Sequence, residues 1–165
     1  MNYLAIYRAS LADGEGWRTV LFVSGCHHHC KGCQNPESWN PNAGHPFTKE
    51  VKDYLFNCIT DEISGLTISG GDPLYKRNVE DITKLCKEFK ERFPNKTIWL
   101  YTGNLYRDSK NLEVMKYVDV VVDGEFREDL KDTTLALRGS VNQRIIDTKT
   151  GKTLMTHDPI EKKGI

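Results

Sequence analysis

The chain reads as an α/β protein built on an open partial (β/α) barrel, and three observations predict it. Short β-branched or aromatic runs alternate with amphipathic helical patterns at intervals of about 30 residues. Four strands are clear in 165 residues, whereas a closed eight-stranded barrel takes about 250. The two most unusual short segments, a cysteine-rich loop and a Ser-Gly-Gly-Asp turn, each follow directly on a strand. The carboxyl ends of parallel strands are where such sheets carry their functional loops.

In chain order, residues 3–7 form an edge strand and 19–24 the first strong strand. Residues 34–46, rich in Asn, Pro and Gly, make an irregular loop. Thr48 is placed to cap a helix over 48–60, with Val51, Tyr54, Leu55, Cys58 and Ile59 on one face. A strand at 66–69 follows, then a helix over 78–93 with Val79, Ile82, Leu85, Cys86, Phe89 and Phe93 on its apolar stripe, ended by Pro94. A strand at 97–101, a weaker helix around 109–116, a strand at 118–122 and a late strand at 144–147 complete the core. Residues 1–147 are read as one domain and 148–165 as a polar tail without assigned structure.

Lys plus Arg equals Asp plus Glu at 23 each, so no excess positive charge attracts nucleic acid. No apolar stretch approaches the roughly 20 residues of a membrane span. The first residues lack the basic start and apolar core of a signal peptide. A cytoplasmic location is expected, with neither nucleic acid nor membrane as partner.

Three of the five cysteines fall within eight residues, Cys26-His27-His28-His29-Cys30-Lys31-Gly32-Cys33. Three thiolates on one tight loop hold three irons of a 4Fe–4S cluster and leave the fourth iron open to another ligand. Zinc sites also use close Cys and His, so a zinc-stabilised binding module on Cys26, Cys30, Cys33 and one histidine is an alternative. Residues held between two cysteine ligands point in several directions, so His27, His28 and His29 are read as solvated or as supporting the site rather than ligating together. Cys58 and Cys86 sit on core-facing stripes, where a free cysteine packs as a small hydrophobe. In Ser69-Gly70-Gly71-Asp72-Pro73-Leu74, two glycines let the backbone approach a ligand closely, and strand-end carbonyls and amides suit the two ends of an amino acid.

The three-cysteine spacing followed one βα unit later by Gly70-Gly71-Asp72 resembles the radical S-adenosylmethionine superfamily. Two departures narrow the likeness: Gly32 stands where an aromatic residue usually precedes the third cysteine, and Asp72 stands for the usual Glu. The branch that carries glycine there comprises the activators of anaerobic ribonucleoside-triphosphate reductase. The match extends from Thr19 through Cys26 and includes Asn35, Trp39, Pro46-Phe47-Thr48 and Trp99. It continues in Thr102-Gly103, Val121-Val122-Asp123-Gly124-Glu125-Phe126, Arg138-Gly139-Ser140 and Asn142-Gln143, covering about residues 1–145.

The resemblance implies a partial barrel of the radical S-adenosylmethionine type. It implies a 4Fe–4S cluster on Cys26, Cys30 and Cys33, and S-adenosylmethionine held by Gly32, Cys33, Gln34, Gly70, Gly71 and Asp72. The cofactor pair would generate a 5′-deoxyadenosyl radical that makes a glycyl radical on the large subunit of the reductase, in its C-terminal glycyl-radical region. An electron donor such as a flavodoxin is implied as a second partner. A radical enzyme acting on a small purine-like molecule is a further alternative, disfavoured because no substrate domain is appended.

Overall fold

The computed structural model describes residues 1–154. One open seven-stranded sheet organises them: β1 (Asn2–Ser10), β2 (Arg18–Val23), β3 (His45–Pro46), β4 (Gly65–Gly70), β5 (Thr97–Tyr101), β6 (Val120–Asp123) and β7 (Arg144–Asp147). The strand order is β3-β1-β2-β4-β5-β6-β7. The central four, β2, β4, β5 and β6, run parallel. Antiparallel β1 pairs with β2, and antiparallel β7 pairs with β6. The sheet does not close on itself, as the count of βα units predicts.

Two helices cross over between the parallel strands, α1 (Lys49–Asn57) and α2 (Val79–Arg92). Thr48 caps α1 as expected, its hydroxyl accepting from Val51 N at 3.3 Å. Alternation along the strands sorts side chains to two faces. Leu66, Ile68, Ile98, Leu100 and Val121 pack with Leu55, Ile82, Cys86 and Phe89 on the helix side. Trp99, Val120, Val122 and Ile145 form a smaller cluster on the other side.

That second face is plugged by Arg18, only 1 % exposed. Its guanidinium donates to Thr67 Oγ1, Thr97 Oγ1 and the carbonyls of Glu15, Leu66 and Thr97, and lies 5.6 Å from the centre of the Trp99 ring. Burial pulls its pKa down to about 10, still high enough to leave it charged at neutral pH.

Three elements differ from the sequence reading. The edge strand runs to Ser10, because the hairpin partner β2 extends its pairing past the apolar residues. The helix expected over 109–116 is two short pieces, α3 (Tyr106–Ser109) and a 3-10 turn at Glu113–Lys116, separated by extended Leu112. Ser109 Oγ bonds back to the Leu105 carbonyl, the kind of local side-chain bond that competes with helix continuation. The last parallel strand is Val120–Asp123 rather than 118–122, Val118 packing in the helix-side core. Within the loop read as irregular, Pro36–Trp39 forms a 3-10 turn and His45–Pro46 the short β3. Residues after β7 turn back on it through an Ile146–Thr153 bridge. Among the described residues, no helix is long and apolar enough to cross a membrane.

Candidate functional site

The parallel pairing of β2 with β4 carries the two sequence motifs into contact. Val23 is in register with Gly70. Beyond the strands, Gly71 N donates to Val23 O at 2.7 Å and Asp72 N to Gly25 O at 2.8 Å. Gly25 N and Cys26 N in turn donate to Ser38 O and Trp39 O, at 2.7 and 3.2 Å. The glycine-rich strand end is therefore sewn to the start of the cysteine loop. A Cβ at Gly71 would stand 2.5 Å from Gly25 O, so the glycine is required by close backbone packing. The expectation that strand-end amides are available to a ligand is corrected for Gly71 and Asp72, whose amides serve this junction.

Cys26, Cys30 and Cys33 line one cavity of about 150 Å3 together with Gly70, Gly71 and Asp72. Gly32 and Gln34 are not among its lining residues. Gly32 takes φ +75°, and a Cβ there would meet the Glu128 side chain at 2.9 Å, which accounts for glycine in place of an aromatic residue. Residues not singled out as site members from sequence also line the cavity, among them His28, Tyr101, Phe126 and Gln143. Beside it lies a groove of about 620 Å3 bounded by Cys30, Lys31, Glu125, Phe126 and Glu128.

The three histidines do not converge on one point, but the His27 and His28 rings lie against each other, with centroids 4.1 Å apart. His27 faces the Tyr75 ring, and His29 stacks on Trp39 with centroids 4.5 Å apart and planes at 12°. His28 turns inward. Its Nε2 lies 2.8 Å from Asp72 Oδ2, off the line of a hydrogen bond, and its Nδ1 lies 2.8 Å from Glu125 Oε1. The Asp72 carboxylate, and after it Glu125, raises the His28 pKa against the opposing effect of burial.

Asp72 is 1 % exposed. Its carboxylate accepts from Leu74 N at 2.8 Å, Thr102 Oγ1 at 2.9 Å and Gly103 N at 3.1 Å. Those donors come from the loops after β4 and β5, so Asp72 ties two strand ends together. The late motif is organised similarly. Gln143 Oε1 accepts from Gly139 N and Ser140 N, while its Nε2 donates to Gly124 O. Asn142 Nδ2 donates to Glu125 O at 2.8 Å. Arg144 grips buried Asp123 with two nitrogens, at 3.1 and 2.6 Å, and Asp123 Oδ2 also accepts from Tyr106 N.

The donor set suits a cluster better than one ion. Among the described residues, no three of His, Cys, Asp and Glu stand close enough to hold a single metal ion. Three thiols distributed on one cavity wall fit a group with several metal atoms. Burial pushes the Cys26 and Cys30 thiols above the ordinary range, so the positive charge of a bound metal would be needed to favour their thiolate forms. Cys58 and Cys86 are 6 % and 0 % exposed and pack in the core, away from this wall.

A family described as a 4Fe-4S single cluster domain matches residues 12–146. A phage T4 protein named anaerobic ribonucleoside-triphosphate reductase-activating protein is 46% identical over 152 residues, covering 92% of this chain and 97% of its own length. The proteins of that name from Escherichia coli and Haemophilus influenzae are 43% and 41% identical, covering 87% and 88% of this chain and 96% and 97% of their own. With a cluster-domain match that spans both motifs and relatives aligned over nearly their whole length, the chain belongs to the family of anaerobic ribonucleoside-triphosphate reductase-activating proteins.

Proposed function

We propose that this protein is a radical S-adenosylmethionine enzyme, on that superfamily's open partial (β/α) barrel, which activates the anaerobic ribonucleoside-triphosphate reductase by installing a glycyl radical. The observation that carries the reading is one cavity walled by Cys26, Cys30, Cys33, Gly70, Gly71 and Asp72. Cys26, Cys30 and Cys33 would hold three irons of a 4Fe–4S cluster at a wall they share with the glycine-rich strand end, leaving one iron for the cofactor. When bound, the cluster and S-adenosylmethionine supply a 5′-deoxyadenosyl radical that takes a hydrogen atom from a backbone glycine.

The chain's own residues bind, orient and shield. The methionyl ammonium is a donor, so main-chain contact to it falls to strand-end carbonyl oxygens. The Gly71 and Asp72 amides, committed to Val23 and Gly25, are not available to the methionyl carboxylate. Asp72 holds the surrounding turn through its carboxylate, and Gly32, Cys33 and Gln34 shape the loop around the cofactor. Tyr101 and Phe126 wall the cavity with aromatic surface that excludes water from a reactive intermediate. The large reductase subunit presents its C-terminal glycyl-radical region at the cavity mouth, and a flavodoxin-like donor supplies the electron in the cytoplasm.

The test is anaerobic incubation of the reconstituted protein with S-adenosylmethionine, a reductant and the reductase, read by electron paramagnetic resonance. A glycyl doublet that requires all components is the expected result. Absence of iron after reconstitution, or no doublet with a fully loaded cluster, overturns the proposal.

A further inference from the structure

His28 is part of the cysteine loop, but its imidazole reaches out of it. The side chain is 8 % exposed, with one nitrogen 2.8 Å from Asp72 and the other 2.8 Å from Glu125. It also lies against Gly103, where a Cβ would stand 2.5 Å from the ring. Asp72 follows β4, Gly103 follows β5, Glu125 follows β6, and His28 itself follows β2. One ring thus touches the loops leaving all four parallel strands.

We infer that His28 is a positioning residue that fixes the tilt of the cysteine loop against the glycine-rich strand end. The inference rests on the function proposed above, since it assigns His28 the task of aiming the open iron at the cofactor. Main-chain bonds from Gly25 and Cys26 secure only the entry to the loop. Farther along, side chains hold it: His29 leans outward on Trp39, while His28 is the histidine that reaches the cofactor wall. Its anchor is rigid, because Asp72 is already fixed by Leu74 N, Thr102 Oγ1 and Gly103 N. Glu125 bonds the opposite ring nitrogen, so the imidazole is hydrogen-bonded at one end and packed against the Asp72 carboxylate at the other. Alignment of reacting groups is sensitive to shifts of about 1 Å, which gives a loop tether of this kind functional weight.

The experiment compares reconstituted wild type, His28→Leu, His28→Gln, Gly103→Ala and the His28→Leu/Gly103→Ala double variant. Three quantities are read: iron and sulfide content, the change in the reduced-cluster spectrum on adding S-adenosylmethionine, and iodoacetamide labelling of each cysteine in the metal-free protein. His28→Leu is expected to keep the cluster, to bind S-adenosylmethionine about tenfold more weakly, and to label faster at Cys26 and Cys30 while Cys58 and Cys86 stay protected. His28→Gln, able to reach Asp72, recovers part of both effects. Gly103→Ala displaces the ring without altering it and reproduces them, and the double variant is no worse than His28→Leu, the non-additivity expected of one shared interaction.

A His28→Leu protein with wild-type cofactor response and labelling overturns the inference. So does loss of the cluster in step with the response, which would make His28 a support for metal binding itself. If His28→Leu does not fold, His28→Gln and Gly103→Ala carry the same comparison. A wild-type cluster that ignores S-adenosylmethionine sinks the proposed function, whereas equal responses in wild type and variants sink the His28 assignment alone.

Discussion

The Asp72 amide donates to the Gly25 carbonyl at 2.8 Å, so the residue that ends the glycine motif is bonded to the residue that precedes the first cysteine. The cysteine loop and the glycine-rich strand end are one mechanical unit. Perturbing either side transmits to the other.

Gly71→Val follows from that junction. The added Cβ would stand 2.5 Å from Gly25 O and 2.9 Å from Ser38 O, and neither main-chain atom has room to yield. The variant should lose cluster loading and cofactor response together, and overpacking should cost about 1–3 kcal/mol of metal-free stability. Iron and sulfide analysis with denaturant unfolding checks both. Full cluster loading with only the cofactor response lost would show that Gly71 serves ligand approach alone.

Cysteine substitutions should divide cleanly. Cys26→Ala, Cys30→Ala and Cys33→Ala each remove a thiol from the cavity wall and should abolish stable cluster binding. Cys86→Ala leaves the wall intact but empties space in a fully buried position between sheet and α2, costing about 1 kcal/mol or somewhat more. Cluster content and thermal unfolding, measured on the same preparations, separate the two classes. A Cys86→Ala protein that folds normally and lacks iron contradicts the division.

Much of this arrangement is legible from local pattern. Thr48, the stripes carrying Cys58 and Cys86, and the strands around Leu66 and Ile98 follow from periodicity that a short window captures. The loop that holds Cys26, Cys30 and Cys33 is legible for the same reason, because its meaning lies in spacing. What stays hidden is long-range. His28 is explained by Asp72 and Glu125, and Arg18 by Thr67 and Thr97, partners that only the parallel sheet brings together. Gly71 shows the limit from another side: its flexibility is visible in the sequence, but the carbonyl it makes room for is not.

Arg18 tests whether stability and chemistry can be separated. It enters at the amino end of β2, at the opposite end of that strand from the cysteine loop. Lysine cannot reproduce a planar fork that makes five hydrogen bonds. Arg18→Lys should destabilise the protein by about 2 kcal/mol, through buried acceptors left without donors, and leave cluster content per folded molecule unchanged. Urea unfolding and iron analysis are the measurements. A drop in iron per folded molecule would tie this plug to the site.

Arg144 makes a related case within the late motif. Its partner Asp123 is 0 % exposed, while Arg144 is 46 % exposed. Solvent weakens the pair from the arginine side, so Arg144→Met should cost about 2 kcal/mol rather than the 3–5 of a fully buried pair. Removal also frees the segment in which Gln143 joins Gly124. Faster proteolysis near residues 138–143 should accompany the lost stability. Unchanged stability would mean that Tyr106 N and solvent suffice for Asp123.

Radical formation should depend on a protein partner, for a reason of space. The cavity holds about 150 Å3, below the roughly 300–1,000 Å3 of ordinary small-molecule sites. It is too small to enclose even the cluster and S-adenosylmethionine, so the site would be completed over its mouth. The neighbouring groove of about 620 Å3, edged by Lys31, Glu125 and Glu128, offers room for a polypeptide segment laid over the mouth. Such a segment would seal out water while bringing a glycine Cα into contact range, the positioning on which hydrogen transfer depends. Glycine suits that position because no side chain obstructs its Cα and the flanking amide groups stabilise the radical left behind. Alone, the protein should consume S-adenosylmethionine slowly. With the reductase, consumption should rise together with a glycyl signal whose hyperfine splitting collapses when the reductase carries α-deuterated glycine. Equally fast turnover with a free purine-like compound and no reductase, or a signal indifferent to the label, would assign the site to a small substrate instead.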